Sequence, residues 1–371
     1  MIEDIFYYDV YLVIITLLTF FYLISFFQSY TENKYYFKKD EKISGALSLT
    51  ILMILFIGFR PISPVFVDMP GYALAMTDGR FEGEEISWNN NFIFVPMMAF
   101  LSSHGASEQT PIVILAIINF GAALIACRKF YPKDTYLALL VYCGAFSTFS
   151  GATNGLKAGC AGSLFLAALA YKENKKAFFT FLLLSLGFHH SMQLPIGATL
   201  VCLYYKKTDT YMKFWIICFL FSLFHITFFQ DLFGERLSDV DQHGANYLTT
   251  YATSAESEYK GKTGFRYDFV IYSVIPILIF YHFKKKKKNL SDTYTFLINI
   301  YILANAIWLL CMYASYTNRI AALSWALYPI LVIFPYIKNE IRNSQQEINL
   351  CMVALIHLSF TLFMHFIYYD I

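Results

Sequence analysis

The sequence is short of charge. Only 15% of its 371 residues are Asp, Glu, Lys or Arg, whereas a soluble domain carries about 25%. A chain this poor in ionised side chains cannot cover a water-facing surface, so a soluble globular class is excluded, and no nucleic-acid partner is expected. CxxC and HExxH are both absent, and neither a required metal nor a cofactor is expected. The seven cysteines (127, 143, 160, 202, 218, 311 and 351) all lie in or at the edge of apolar segments and read as small buried apolar side chains. There is no Gly/Ser linker, low-complexity tract or repeat of fixed period, so residues 1–371 are expected to form a single transmembrane domain. The first apolar run, about 10–27, has no basic segment before it and no small-residue cleavage site after it. It is expected to be a retained helix.

What the chain has in abundance is apolar surface. Hydrophobic residues make up 57%, aromatics 19%, and mean hydropathy is +0.50. Apolar runs close to the ~20 residues needed to cross a bilayer recur along its length. They predict an all-α, polytopic membrane protein with spans near 10–29, 43–59, 111–127, 135–151, 156–171, 177–189, 192–205, 212–229, 268–283, 294–313, 320–337 and 348–367. Between these spans, six alternate loops hold 20 of the 28 Lys and Arg residues, among them Lys38, Lys39, Arg128, Lys129, Lys172 and Lys284. By the positive-inside rule those loops are cytoplasmic and both termini lie outside. The segment 92–101, "FIFVPMMAFL", is apolar but too short to span. Letting it cross would reverse every later basic loop, so it is expected to be a re-entrant or interfacial helix.

Eight cations remain on the outer side: Arg60, Arg80, Lys157, Arg236, Lys260, Lys262, Arg266 and Arg319. Arg60, Lys157 and Arg319 abut span ends, where desolvation is costly unless an anion is close. Lys157 stands alone in "GATNGLKAG", residues 151–159. Thr153 or Asn154 is expected to cap the helix that starts there, which puts Lys157 in the first turn, against the helix dipole. Backbone N–H groups, dipole and ammonium together suit an anion. The small residues Gly155, Ala158 and Gly159 leave an approach open and also suit close helix packing.

Two outer loops, 60–91 and 230–267, are expected to form the substrate-binding face. In the first, Asp68 and Tyr72 are spaced to share a helix face, and Glu82, Glu84 and Glu85 precede Trp88. Carboxylates beside aromatic rings suit sugars, whose hydroxyls donate to acids and whose apolar faces stack on rings. "GFHHSMQLP" sets His189 and His190 at the outer end of a span. A histidine serves as a base near neutral pH, but neighbours on a helix point ~100° apart and make a poor metal pair. The second loop offers Tyr247, Tyr251 and Arg266, and is too long for a simple connector.

Taken in order, these residues resemble the EpsG family of Wzy-type polysaccharide polymerases. Its Arg and Asp-x-x-x-Tyr elements match Arg60 and Asp68/Tyr72. Its Asn-x-x-Arg element matches Asn154 and Lys157, its Phe-His element Phe188 and His189, and its late Arg matches Arg319. Lysine replaces arginine at 157, which keeps the charge but loses the bidentate fork. The resemblance implies a metal-independent glycosyltransferase in the bacterial cytoplasmic membrane, with its active site facing the periplasm or exterior. Donor and acceptor would be glycans linked to undecaprenyl pyrophosphate, with a chain-length regulator and a flippase as pathway partners and membrane lipids around it. It implies that Arg60, Lys157, Asn154, Arg266 and Arg319 bind pyrophosphate. Asp68, or failing that His189, Glu84 or Glu85, would be the base. Tyr72, Glu82, Trp88, Tyr247, Tyr251 and His190 would contact sugar. An O-antigen ligase, with similar chemistry, and a lipid-linked oligosaccharide flippase are the alternatives. A flippase would want charges near the bilayer midplane and related halves, neither of which is seen.

Overall fold

The computed structural model describes residues 3–31, 43–66, 68–79, 81, 91–228, 264–286, 290–314, 317–337 and 344–368. It is 83% helix, with no strand among the described residues. The helices, in order, are α1 Tyr7–Thr31, α2 Ile43–Gly58, α3 Met69–Thr77, α4 Phe94–Ser103, α5 Thr110–Phe130, α6 Thr135–Cys143, α7 Phe146–Thr153, α8 Leu156–Ala170, α9 Lys175–Phe188, α10 Gln193–Tyr204 and α11 Thr208–Leu223. They continue with α12 Tyr267–Lys286, α13 Asp292–Leu310, α14 Thr317–Trp325, α15 Tyr328–Ile337 and α16 Ser344–Phe363. Two compact units result. Residues 1–189 with 336–371 form unit 1, and residues 190–335 form unit 2.

By length and composition, six helical stretches among the described residues can cross a membrane: Asp4–Gln28, Thr110–Phe130, Tyr267–Lys286, Asp292–Leu310, Thr317–Ile337 and Ile348–Tyr368. A seventh is the pair α6 and α7, bent by 69°. The remaining five of the twelve expected spans are shorter. Helix α8 has 15 residues, α9 has 14 and α10 has 12. Fifteen residues reach ~22 Å, against a hydrocarbon core of about 30 Å. Polar breaks at Asn154–Gly155, at Lys172–Asn174 and around His190 cut the apolar run into these pieces. The membrane class is plain on the outward faces. Val13, Leu17, Phe20, Phe21 and Ile24 of α1 are each about half exposed or more, which fits a lipid solvent and not water.

In unit 1, α5 packs against α2 and α8, α8 against α9, and α1 against α6 and α16. The α5–α8 contact buries Leu115, Ala116, Ala123, Cys160, Ala161 and Leu164, and the Cys160 thiol donates to Leu115 O at 2.9 Å. All seven cysteines are buried and unbridged. Segment 135–151, expected as one span, breaks at Gly144–Ala145. Carbonyls near the break are taken up by side chains of the terminal helices. Tyr11 donates to Cys143 O (2.8 Å), Thr361 to Gly144 O (2.8 Å), and His357 Nε2 contacts Val141 O (3.1 Å). A helix break is tolerable inside a membrane when its backbone groups are satisfied this way.

In unit 2, α13 packs against α10, α11, α12 and α14. Ser291 caps its start, accepting from Tyr294 N–H at 3.2 Å. A buried polar chain ties four helices together. Trp215 Nε1 donates to Asn305 Oδ1 (2.8 Å), and Asn305 Nδ2 donates to Ser273 Oγ (3.1 Å) and Ser324 Oγ (3.0 Å). Trp325 Nε1 donates to Ser273 Oγ (2.8 Å).

Candidate functional site

Arg60 lies two residues past α2 and is fully buried. Its Nη1 donates to Ala152 O at 3.2 Å, and its Cζ sits 4.4 Å from the centre of the Phe66 ring, a cation–π contact. Its Nε and Nη2 have no hydrogen-bond partner among the described residues. Burial pulls the guanidinium down to about 10, opposed by the neighbouring Tyr8 and Tyr7, so it stays protonated at neutral pH. The backbone around it is pinned by Gln109, whose Nε2 donates to Gly58 O and, at 3.1 Å, to Arg60 O.

A second set of contacts runs from this loop to the 151–159 stretch. The Tyr8 hydroxyl is 2.7 Å from Val65 O and meets the Asn154 side-chain amide. The Tyr8 ring packs edge-on against Phe66 and Phe149 at 5.6 and 5.5 Å. The expected cap is corrected here. Gly155 occupies the N-cap of α8, and no side chain caps it. Thr153 instead donates back to Phe149 O at 2.7 Å, and Asn154 is engaged by Tyr8. Of the glycines, Gly159 is a packing residue. A Cβ placed on it would stand 2.6 Å from Gly151 O, so α7 and α8 approach closely only because both positions lack a side chain.

The short apolar helix α4 is the meeting point of the remaining candidates in unit 1. Lys157, in the first turn of α8, holds its Nζ 5.7 Å from the Phe94 ring centre. Tyr72, on α3, packs on the same ring at 5.3 Å, and Phe81 does so at 6.1 Å. Asp68 sits at the start of α3, four residues before Tyr72, and its carbonyl accepts from Tyr72 N–H at 3.3 Å. The end of α9 is fastened here as well. Ile93 N–H donates to Gly187 O at 2.9 Å, and a Cβ on Gly187 would fall 2.4 Å from Ile93 Cγ1. That close approach sets Phe188 and His189 beside the start of α4.

All of these contacts join one set of helix ends. They are the starts of α1, α5 and α8 and the ends of α2, α7 and α9. The opposite end of unit 1 carries Arg128, Lys129, Lys133, Lys172 and Lys175, with Lys129 Nζ lying 5.1 Å from the Tyr171 ring centre.

The other candidates belong to unit 2 or lie outside the described residues. Arg266, in unit 2, makes a two-pronged pair with Asp268, at 3.0 Å from Nε and 2.6 Å from Nη2, and its Cζ lies 3.6 Å from the Phe269 ring centre. Its charge is matched by Asp268. Arg319 is exposed on α14, and His190 is buried in the 3-10 turn His190–Met192, both in unit 2. Glu82, Glu84, Glu85, Trp88, Tyr247 and Tyr251 lie outside the described residues. No group of three or more His, Cys, Asp or Glu among the described residues is arranged to hold a metal ion. Asp239 and Asp241, two carboxylates one residue apart that the expectation of no metal passed over, lie outside them too.

Sequence reasoning missed Tyr8, Phe66, Phe94 and Gly187. Each carries an ordinary signal: a tyrosine near a helix start, phenylalanines in apolar stretches, and a glycine near a helix end. Only the contacts mark them. In comparison with known proteins, the sequence model described as the EpsG family matches residues 45–371. No curated protein and no solved structure matches.

Proposed function

The chain belongs to the EpsG family, the family of Wzy-type polysaccharide polymerase-like proteins, and on that premise we propose that it is a membrane glycosyltransferase that joins lipid-linked oligosaccharide units into a polysaccharide. The proposed donor is a growing glycan on undecaprenyl pyrophosphate, and the proposed acceptor is a single lipid-linked repeat unit. The observation that carries this reading is Arg60, a fully buried cation with two nitrogen atoms that have no hydrogen-bond partner among the described residues. It sits at the same end of the bundle as Lys157, Asp68 and His189. A buried positive charge without an anion is costly to maintain, and an incoming pyrophosphate supplies one.

In the proposed reaction, an acceptor hydroxyl oxygen bonds to the anomeric carbon of the donor as the carbon–oxygen bond to pyrophosphate breaks. The hydroxyl proton passes to Asp68, with His189 as the alternative base. The electron pair leaves with the lipid pyrophosphate, whose growing negative charge Arg60 and Lys157 stabilise. Tyr72 offers a ring face to sugar. Holding two lipid-anchored substrates at one depth supplies much of the rate. The leaving-group role is no longer assigned to Arg266, whose charge Asp268 matches. Arg319 and His190 are left out because the proposed site uses unit 1 alone. The charge asymmetry of unit 1 supports an orientation in which the Arg60 end faces outward and the Arg128–Lys129 end faces the cytoplasm.

The test is gel analysis of surface glycan from a strain lacking the gene. Single-repeat products in place of a ladder are expected. Complete loss of surface repeats would point instead to a ligase or flippase, and an unchanged ladder would exclude all three.

A further inference from the structure

We propose that Tyr8, on a helix outside the family-matched residues 45–371, is a positioning residue of the candidate site. It acts by locking Asn154 to the loop that carries Arg60. This rests on the polymerase reading above.

Three observations carry it. The Tyr8 hydroxyl reaches two segments far apart in sequence, Val65 O in the Arg60 loop and the Asn154 side chain between α7 and α8. Its ring fills the space between Phe66, which bears the Arg60 guanidinium, and Phe149 of α7. Behind it, Asp9 and His365 Nε2 are paired at 2.7 Å, and the His365 ring lies 6.0 Å from that of Tyr8, so the start of α1 is itself fastened. A tyrosine whose task was to anchor a helix end among headgroups would direct its hydroxyl outward. This one turns inward onto two polar groups that flank the buried arginine.

The Tyr8 hydroxyl faces two acceptor atoms, Val65 O and Asn154 Oδ1, and hydrogen counting is the ground on which the sense of the link is assigned. A phenol has one hydrogen, and the Val65 carbonyl can only accept. Both contacts close when the Asn154 amide presents its nitrogen to Tyr8, because amide oxygen and nitrogen exchange places without changing shape. Asn154 then donates to Tyr8, Tyr8 donates to Val65 O, and Asn154 Oδ1 turns away from Tyr8, where it can accept from a ligand hydroxyl. The role of Asn154 shifts accordingly, from phosphate donor to acceptor for sugar.

The test uses the full-length protein carrying Tyr8→Phe, Asn154→Asp, or both. Tyr8→Phe keeps both ring contacts and removes the hydroxyl. Asn154→Asp keeps the shape and removes the donor. Each single variant is expected to slow glycan elongation about tenfold, and the double variant by the same factor and not by its square, because one link is cut. Thermal stability is expected to stay near that of the parent. Hydrogen exchange in Tyr8→Phe is expected to quicken in segments 58–66 and 150–157 and not elsewhere. Unchanged exchange in both segments overturns the proposal whatever the activity. Quickened exchange with normal elongation, beside an inactive Arg60→Ala, also overturns it. If Arg60→Ala elongates normally as well, the polymerase site is what fails, and exchange alone decides whether Tyr8 forms the link. Asn154→Asp at full activity overturns the assigned direction of the hydrogen bonds.

Discussion

Two arginines, one in each unit, meet burial in opposite ways. Arg266 in unit 2 is 6% exposed and shares its charge with Asp268 through two short hydrogen bonds. Arg60 in unit 1 is 0% exposed and, among the described residues, its guanidinium meets a backbone carbonyl and a phenylalanine face. The difference extends to their surroundings. The buried polar groups of Trp215, Asn305, Ser273, Ser324 and Trp325 complete one another. A network satisfied in this way holds helices in register, whereas Arg60 keeps two donors without a partner among the described residues. Geometry thus separates a cation matched within the fold from one that has no anion among the described residues, though both were read from sequence as outer-side charges in an apolar chain.

The contrast can be broken most severely at Arg266. Arg266→Ala leaves Asp268 buried without its partner and should cost about 3–5 kcal/mol, read as lost thermal stability of the purified protein. Arg60→Met should do the reverse. It removes a buried unmatched charge, so stability should hold or rise, while elongation should fall by about 10²–10³-fold, the scale of removing one donor to a developing anion. Were both variants unstable and Arg60→Met active, the contrast would be wrong. A smaller effect is expected at Asn305. Asn305→Ala strands the Trp215 N–H and should destabilise by about 1–3 kcal/mol with no specific loss of elongation. At Lys157 the charge is what counts, so Lys157→Arg should retain activity and Lys157→Gln should lose it. Full activity in Lys157→Gln would remove that residue from the site. Ser291→Ala should cost only about 1 kcal/mol, the value of a helix cap, and calibrates the stability scale.

Much of this was legible in the sequence. Charge scarcity and long apolar runs set the membrane class, because composition and length are the quantities a bilayer selects on. The order of Arg60, Asp68, Tyr72, Asn154, Lys157 and His189 suggested a shared side, and those of unit 1 do cluster at one set of helix ends. Other features were not legible. The apolar run at 135–151 conceals a 69° break, because hydropathy does not record where carbonyls find side-chain partners. Arg266 and Asp268 are only two residues apart, yet nothing in their spacing reports that the fork closes. The glycines near Lys157 suited both an anion site and close packing, and contact with Gly151 assigned Gly159 to packing.

The sequence by itself determined that this chain is a bundle of apolar helices with most of its basic residues gathered in a few short segments between apolar runs. It also determined which uncommon polar residues needed an explanation. These follow from properties each residue carries alone: hydropathy, charge and helical period. Only the tertiary structure decided which helix faces meet. It made Phe94 a shared surface for Lys157 and Tyr72, and fitted Gly187 against Ile93. It also brought Tyr8 to Asn154 across 146 residues. The reason is that a contact is a property of two surfaces at once. The side chains that make it look no different in sequence from those that face lipid.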